Sequence, residues 1–121
     1  MEYEIKLNSL YICVKDMKRA CNFYESILGI PTEKDHVGLF IIGGFRFLLF
    51  DNEEVGEKVV YGDNCLPSFE VSDINAFIKK IEELGVQIVF PCVQILDNWV
   101  LEFRDTEGND IEVYSKVKKQ I

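Results

Sequence analysis

The sequence predicts an α+β fold made of two β-α-β-β-β modules. Three observations predict it. One pattern of strand, capped helix and glycine stop occurs twice along the chain. The helical stretches carry one apolar face each, and apolar runs of strand length joined by tight turns follow both.

The repeat is read first, because a fixed internal period decides the architecture. Leu10-Tyr11-Ile12-Cys13-Val14-Lys15-Asp16 leads into a helical pattern that stops at Leu28-Gly29-Ile30. Leu66-Pro67-Ser68-Phe69-Glu70-Val71-Ser72-Asp73 leads into a second that stops at Leu84-Gly85-Val86. The apolar set of the first helix is Met17, Ala20, Cys21, Tyr24, Ile27 and Leu28. That of the second is Ile74, Phe77, Ile78, Ile81 and Leu84. Both follow the spacing that gives a helix one buried face. Asp16 and Asp73 can accept hydrogen bonds from the free first-turn N–H groups, and Gly29 and Gly85 can end the helices.

Strands follow. Val37 to Ile42 and Phe45 to Phe50 flank Gly43-Gly44, the length and chemistry of a tight hairpin. Thr32 to Lys34 is expected as a short further strand. In the second copy the runs are Val86 to Phe90, Trp99 to Arg104 and Ile111 to Ser115, the last two joined by Asp105-Thr106-Glu107-Gly108-Asn109. One domain is expected over residues 1–121, with module one at 5–50, an acidic linker at 51–64 and module two at 65–116.

Composition bounds the function. A chain of 121 residues, 48% hydrophobic, can bury a core without disulfides or metal staples. Neither a leader pattern nor a membrane-length apolar run is present, so a cytoplasmic location is expected. The four cysteines (Cys13, Cys21, Cys65 and Cys92) form no C-x-x-C pair and are expected reduced and mostly buried. With a single histidine, His36, expected to be an exposed residue, a zinc site is not expected. The net charge of -8 argues against nucleic acid, which needs cations to displace its counterions.

Val14-Lys15-Asp16, Phe23-Tyr24 and Leu28-Gly29 resemble the opening strand and helix of the glyoxalase/bleomycin-resistance/extradiol-dioxygenase (vicinal-oxygen-chelate) superfamily. Asp105-Thr106-Glu107-Gly108-Asn109 before Ile111-Glu112-Val113 resembles its closing hairpin, with Thr and Glu replacing the usual Pro and Asp. Glu83-Leu84-Gly85-Val86 is similar to a phrase frequent in it, and the resemblance covers nearly the whole chain. It implies a curved mixed sheet with helices outside and a ligand cup on the other face.

Strand alternation then sorts the side chains. Leu10, Ile12 and Val14 suit the helix side, leaving Ser9, Tyr11 and Cys13 for the cup. Pro67, Phe69 and Val71 suit the helix side, leaving Leu66, Ser68 and Glu70. Arg46, Leu48 and Phe50 share one face, with Phe45, Phe47 and Leu49 expected in the core; Glu112 and Tyr114 share another. Trp99, Leu101 and Phe103 alternate with Val100, Glu102 and Arg104, and which set faces the cup stays open. Trp99 is accordingly kept both as a stacking platform for a ligand and as a core residue.

Metal-dependent relatives hold one ligand on each of four strands, and the resemblance carries those positions to Ser9, Leu48, Leu66 and Glu112. Only Glu112 keeps a useful donor, so neither metal nor cofactor is expected. A carboxylate lining an apolar cup can be relieved by protonation, by Arg46, by a cationic ligand or by water. We therefore expect a metal-free small-molecule binding protein that favours a cationic or aromatic ligand and forms a homodimer without nucleic-acid or membrane partners. The alternative is a lyase, isomerase or dioxygenase-like enzyme of the same superfamily with Glu112 as base or metal ligand. An interaction module without a pocket is the third.

Overall fold

The computed structural model describes residues 3–62 and 65–118, so positions 63 and 64 of the expected linker lie outside the described residues. The chain divides into two compact units, Met1–Val59 and Val60–Ile121.

In the first unit β1 (Ser9–Cys13), β2 (Gly38–Ile42) and β3 (Phe45–Phe50) form a sheet of order β1-β3-β2, backed by α1 (Met17–Leu28). β1 runs parallel to β3, and β2 antiparallel to it. The Asp16 carboxylate accepts from the Arg19 N–H at 3.0 Å, so the expected cap starts α1. Gly43 and Gly44 both have positive φ, 56° and 81°, as the two-residue hairpin between β2 and β3 requires. Tyr24, fully buried on α1, packs its ring 5.3 Å from Phe47 and 6.4 Å from Phe40, which makes that side of the sheet the core face. Two expectations need correction. Glu33 makes one isolated bridge to Leu39, so no full strand forms at 32–34. Phe45 is 37% exposed because it stands beside the turn, beyond the cover of α1, whereas Phe47 and Leu49 are buried.

In the second unit β4 (Ser68–Glu70), β5 (Ile88–Ile95), β6 (Asn98–Arg104) and β7 (Asp110–Lys116) form a sheet of order β4-β7-β6-β5, with α2 (Ile74–Glu83). Asp73 caps α2 by accepting from the Ala76 N–H at 3.1 Å. Phe77 of α2 lies 5.7 Å from Phe103, and Leu101, Phe103, Ile111 and Val113 are buried. The hairpin joining β6 to β7 is built around Asp105, whose Oδ1 accepts from the N–H groups of Glu107 and Asn109, both at 2.8 Å. At its base Arg104 donates through Nε and Nη2 to Asp110 Oδ1, at 3.0 and 2.8 Å.

β5 is longer than expected. It runs on through Pro91 to Ile95 with two register shifts against β6. As the edge strand it can hold a residue that has no N–H to donate, and bulges absorb the mismatch. The cysteines also differ from expectation. All four are free, but only Cys21 is buried and Cys65 is exposed, because Cys65 lies ahead of β4 rather than inside the core. The two mixed sheets and two helices make an α+β fold.

Candidate functional site

Each sheet has one face on its helix and one face turned away, and strand register assigns the side chains. In the first unit Ser9 stands beside Arg46, Tyr11 beside Leu48, and Cys13 beside Phe50. Leu10 and Ile12 pair with Phe47 and Leu49 on the core side, so the six expected cup residues of this unit share the opposite face. That face is graded. Tyr11 is 56% exposed and Arg46 is exposed, while Leu48 is only 5% exposed.

A turn that follows β3 closes one end of this face. Asp51 caps the short 3-10 helix Asn52–Val55. The Cys13 thiol donates to Asn52 Oδ1 at 3.1 Å, and Asn52 Nδ2 donates to Glu57 Oε2 at 3.2 Å. Burial, with the Glu57 and Asp51 carboxylates adding to it, pushes the Cys13 thiol up from its ordinary pKa. The thiol therefore serves as a neutral donor, and its thiolate is disfavoured.

In the second unit Ser68 pairs with Glu112 and Glu70 with Tyr114, while Phe69 pairs with Val113 on the helix side. The Ser68 hydroxyl donates to Glu112 Oε1 at 2.5 Å, the short contact expected of a hydroxyl on a carboxylate. Tyr114 Oη reaches Glu70 Oε1 at 3.5 Å, and Lys116 Nζ lies 3.9 Å from Glu70 Oε2. A hydrogen bond from Ser68 on its own sheet, not among the reliefs expected for Glu112, is present. Arg46, proposed as its partner, belongs to the other unit.

Glu102, whose face the sequence left open, was not among the expected site residues. It pairs directly with Glu112 across the β6–β7 ladder, and like charges so placed repel. A signal was available: a turn centred on Glu107 pairs Arg104 with Asp110 and hence Glu102 with Glu112. The same register resolves Trp99. It pairs with Ser115 on the helix face, away from Glu112 and Tyr114, so it does not join the expected ligand face. Leu66 precedes β4 and is 43% exposed, outside any ladder.

The four positions at which related proteins hold a metal do not suit one here. Ser9, Leu48, Leu66 and Glu112 supply one carboxylate, one hydroxyl and two hydrocarbon side chains. Among the described residues no three His, Cys, Asp or Glu side chains converge as a metal site. Nor is any helix among them long and apolar enough to cross a membrane.

With two helix-backed mixed sheets and these open faces in hand, comparison with known proteins places the chain. The model of the Glyoxalase/Bleomycin resistance protein/Dioxygenase superfamily matches residues 6–113, and the chain belongs to that superfamily. A protein of unknown function from Agrobacterium tumefaciens is 25% identical with a TM-score of 0.75, over 94% of this chain and 96% of that one. A glyoxalase/bleomycin resistance protein/dioxygenase from Nocardioides is 15% identical with a TM-score of 0.73, over 98% and 87%. A fosfomycin resistance protein from Mesorhizobium loti is 16% identical with a TM-score of 0.72, over 93% of each. The last two likenesses concern the fold alone. Comparison with curated proteins finds no significant match.

Proposed function

We propose that this chain is a small-molecule binding member of its superfamily that works without a metal and takes its ligand on the sheet faces turned away from the helices. The observation that carries the proposal is the chemistry of the four ligand positions. Two are leucines, and the only carboxylate among them already accepts a hydrogen bond from Ser68. A Lewis-acid centre needs several donors in one place, whereas a binding face needs apolar area and a few fixed polar groups.

Charge favours a cationic or aromatic ligand. Glu70, Glu102 and Glu112 share the open face of the second unit with Tyr114. Carboxylates attract a cation, and an aromatic face adds about 0.5–2 kcal/mol. The test is elemental analysis of untagged protein, followed by calorimetric titration with compounds matched in size and differing in charge. We expect no stoichiometric transition metal and cations bound before anions. Glu112→Gln should weaken cation binding by about 1–3 kcal/mol. One equivalent of metal lost in Glu112→Ala would overturn the proposal, as would binding of cations indifferent to Glu112.

We extend the proposal to a homodimer, the commonest closed oligomer. Tyr3, Ile5 and Leu7 alternate along an exposed stretch ahead of β1, and Phe90 and Ile95 are about half exposed on edge strand β5. Uncovered apolar edges of this kind seek a partner. Light scattering should give twice the 14.0 kDa chain mass, and a monomer at micromolar concentration rules the dimer out.

A further inference from the structure

We infer a second ligand site, for a small organic anion with a flat apolar body, on the helix side of the second unit. A cavity of about 370 Å³ opens there between the start of α2 and the β6–β7 ladder. That is within the range of roughly 300–1,000 Å³ typical of small-molecule sites. The face is opposite to the one that carries Glu112, so the site stands independently of the proposed function.

Two observations on different elements support it. The first is Ser115, 4% exposed, which lines the cavity from β7. Register turns its side chain to the helix face beside Trp99, and its hydroxyl has no hydrogen-bond partner among the described residues. No buried side-chain polar atom among the described residues lacks a partner, so this hydroxyl is one that the cavity reaches, open to whatever enters it. The second is the first turn of α2, a helix of ten residues. Asp73 takes the Ala76 N–H and its carbonyl takes that of Phe77. The N–H groups of Ile74 and Asn75, which also line the cavity, have no partner among the described residues.

The unused groups are therefore donors: two backbone N–H groups at the positive end of a helix and one hydroxyl. Lys118 also lines the cavity and adds a cation. Asp73 is the opposing charge, and its carboxylate is partly spent on the cap. Such a set accepts a carboxylate or phosphate head. Trp99, 37% exposed beside it, offers a ring on which a flat apolar group can lie.

Trp99 is the only tryptophan, so intrinsic fluorescence reports this cavity directly. The full chain is titrated with phenyl phosphate, benzoate, inorganic phosphate and the neutral analogue benzamide. Both aromatic anions should change the fluorescence saturably, inorganic phosphate should compete with them, and benzamide should bind about tenfold more weakly. Ser115→Ala, checked for folding by circular dichroism, should weaken phenyl phosphate about tenfold. Lys118→Gln, at an exposed position, should weaken it about threefold, and Glu112→Gln should leave it unchanged. Absence of a saturable response to either aromatic anion overturns the inference. So does benzamide binding as tightly as benzoate, or an affinity that follows Glu112 and ignores both Ser115 and Lys118.

Discussion

Gly38→Ala is a severe test of how the first unit is packed. Gly38 is buried on β2, paired with Leu49, and its φ does not require glycine. A methyl group there would stand 2.8 Å from Cys21 Sγ and 3.3 Å from both Cβ and Cδ1 of Leu49. Carbon atoms pack best at about 3.5–4.0 Å, so α1 and the sheet must separate or Cys21 must rotate. Cys21 is 6% exposed on α1, where few rotamers are open to it. Overpacking of this kind costs about 1–3 kcal/mol. Loss of unfolded-chain freedom returns about 0.4–1 kcal/mol, for a net loss centred on about 1.3 kcal/mol and no more than about 2.6 kcal/mol. Urea melts followed by circular dichroism should show that loss for Gly38→Ala. Cys21→Ala should itself cost about 1 kcal/mol by leaving a small void. The double variant should recover most of the Gly38 penalty, because the clashing sulfur is gone. Effects that add to within about 0.5 kcal/mol would refute the contact as the cause.

Asp73→Ala should lower stability by about 0.5–2 kcal/mol, and Asp73→Asn by much less, since the amide oxygen can still accept from Ala76; equal urea midpoints for the two variants would contradict the cap. Mass spectrometry after timed iodoacetamide treatment at mildly alkaline pH should find exposed Cys65 modified first and buried Cys21 last. Burial holds the Cys13 and Cys21 thiols above their ordinary 9.0, so the stability they lend is full below that pH and lost as pH rises through the higher folded values. Replacing both with Ala should therefore flatten the alkaline fall in stability, and an unchanged slope would count against it.

The repeat was legible because each part of it is local chemistry. Asp16 and Asp73 cap because a short carboxylate reaches an N–H three residues on, whatever the rest of the chain does. Gly43-Gly44 turns because both positions need positive φ. The hairpin between β5 and β6 carried no such mark. Its turn places Leu96, 87% exposed, at φ 53°, where sequence patterns lead one to expect Gly or Asn. The expected run stopped at Phe90, whereas β5 continues through Pro91, a residue excluded from a central strand but tolerated at an edge. Parity within a strand was readable from sequence, but the direction a strand faces depends on its neighbour. Ser9, Tyr11, Cys13, Ser68 and Glu70 stand on the side away from the helix because their alternates are uniformly apolar, whereas β6 is apolar on three residues of one parity and mixed on the other.

That ambiguity on β6 has a physical consequence. The β6–β7 ladder turns Val100, Glu102, Glu112 and Tyr114 to one side and Trp99, Leu101, Val113 and Ser115 to the other. A shift of register by one residue would exchange the two sets. The part-buried Arg104–Asp110 bond and the Asp105 turn hold the register at the closed end, where Asp110 is 4% exposed. Repulsion between Glu102 and Glu112 works against the same ladder, and Ser68 offsets it by donating to Glu112 from β4. Two carboxylates kept face to face at a cost to stability are what an anion would avoid and a cation would relieve. On the other side of the same strands, the unspent groups around Trp99 are donors. The two proposed sites thus place opposite electrostatic preferences on the two faces of one hairpin. Ligands of opposite charge should therefore respond to different substitutions, cations to Glu112 and anions to Ser115.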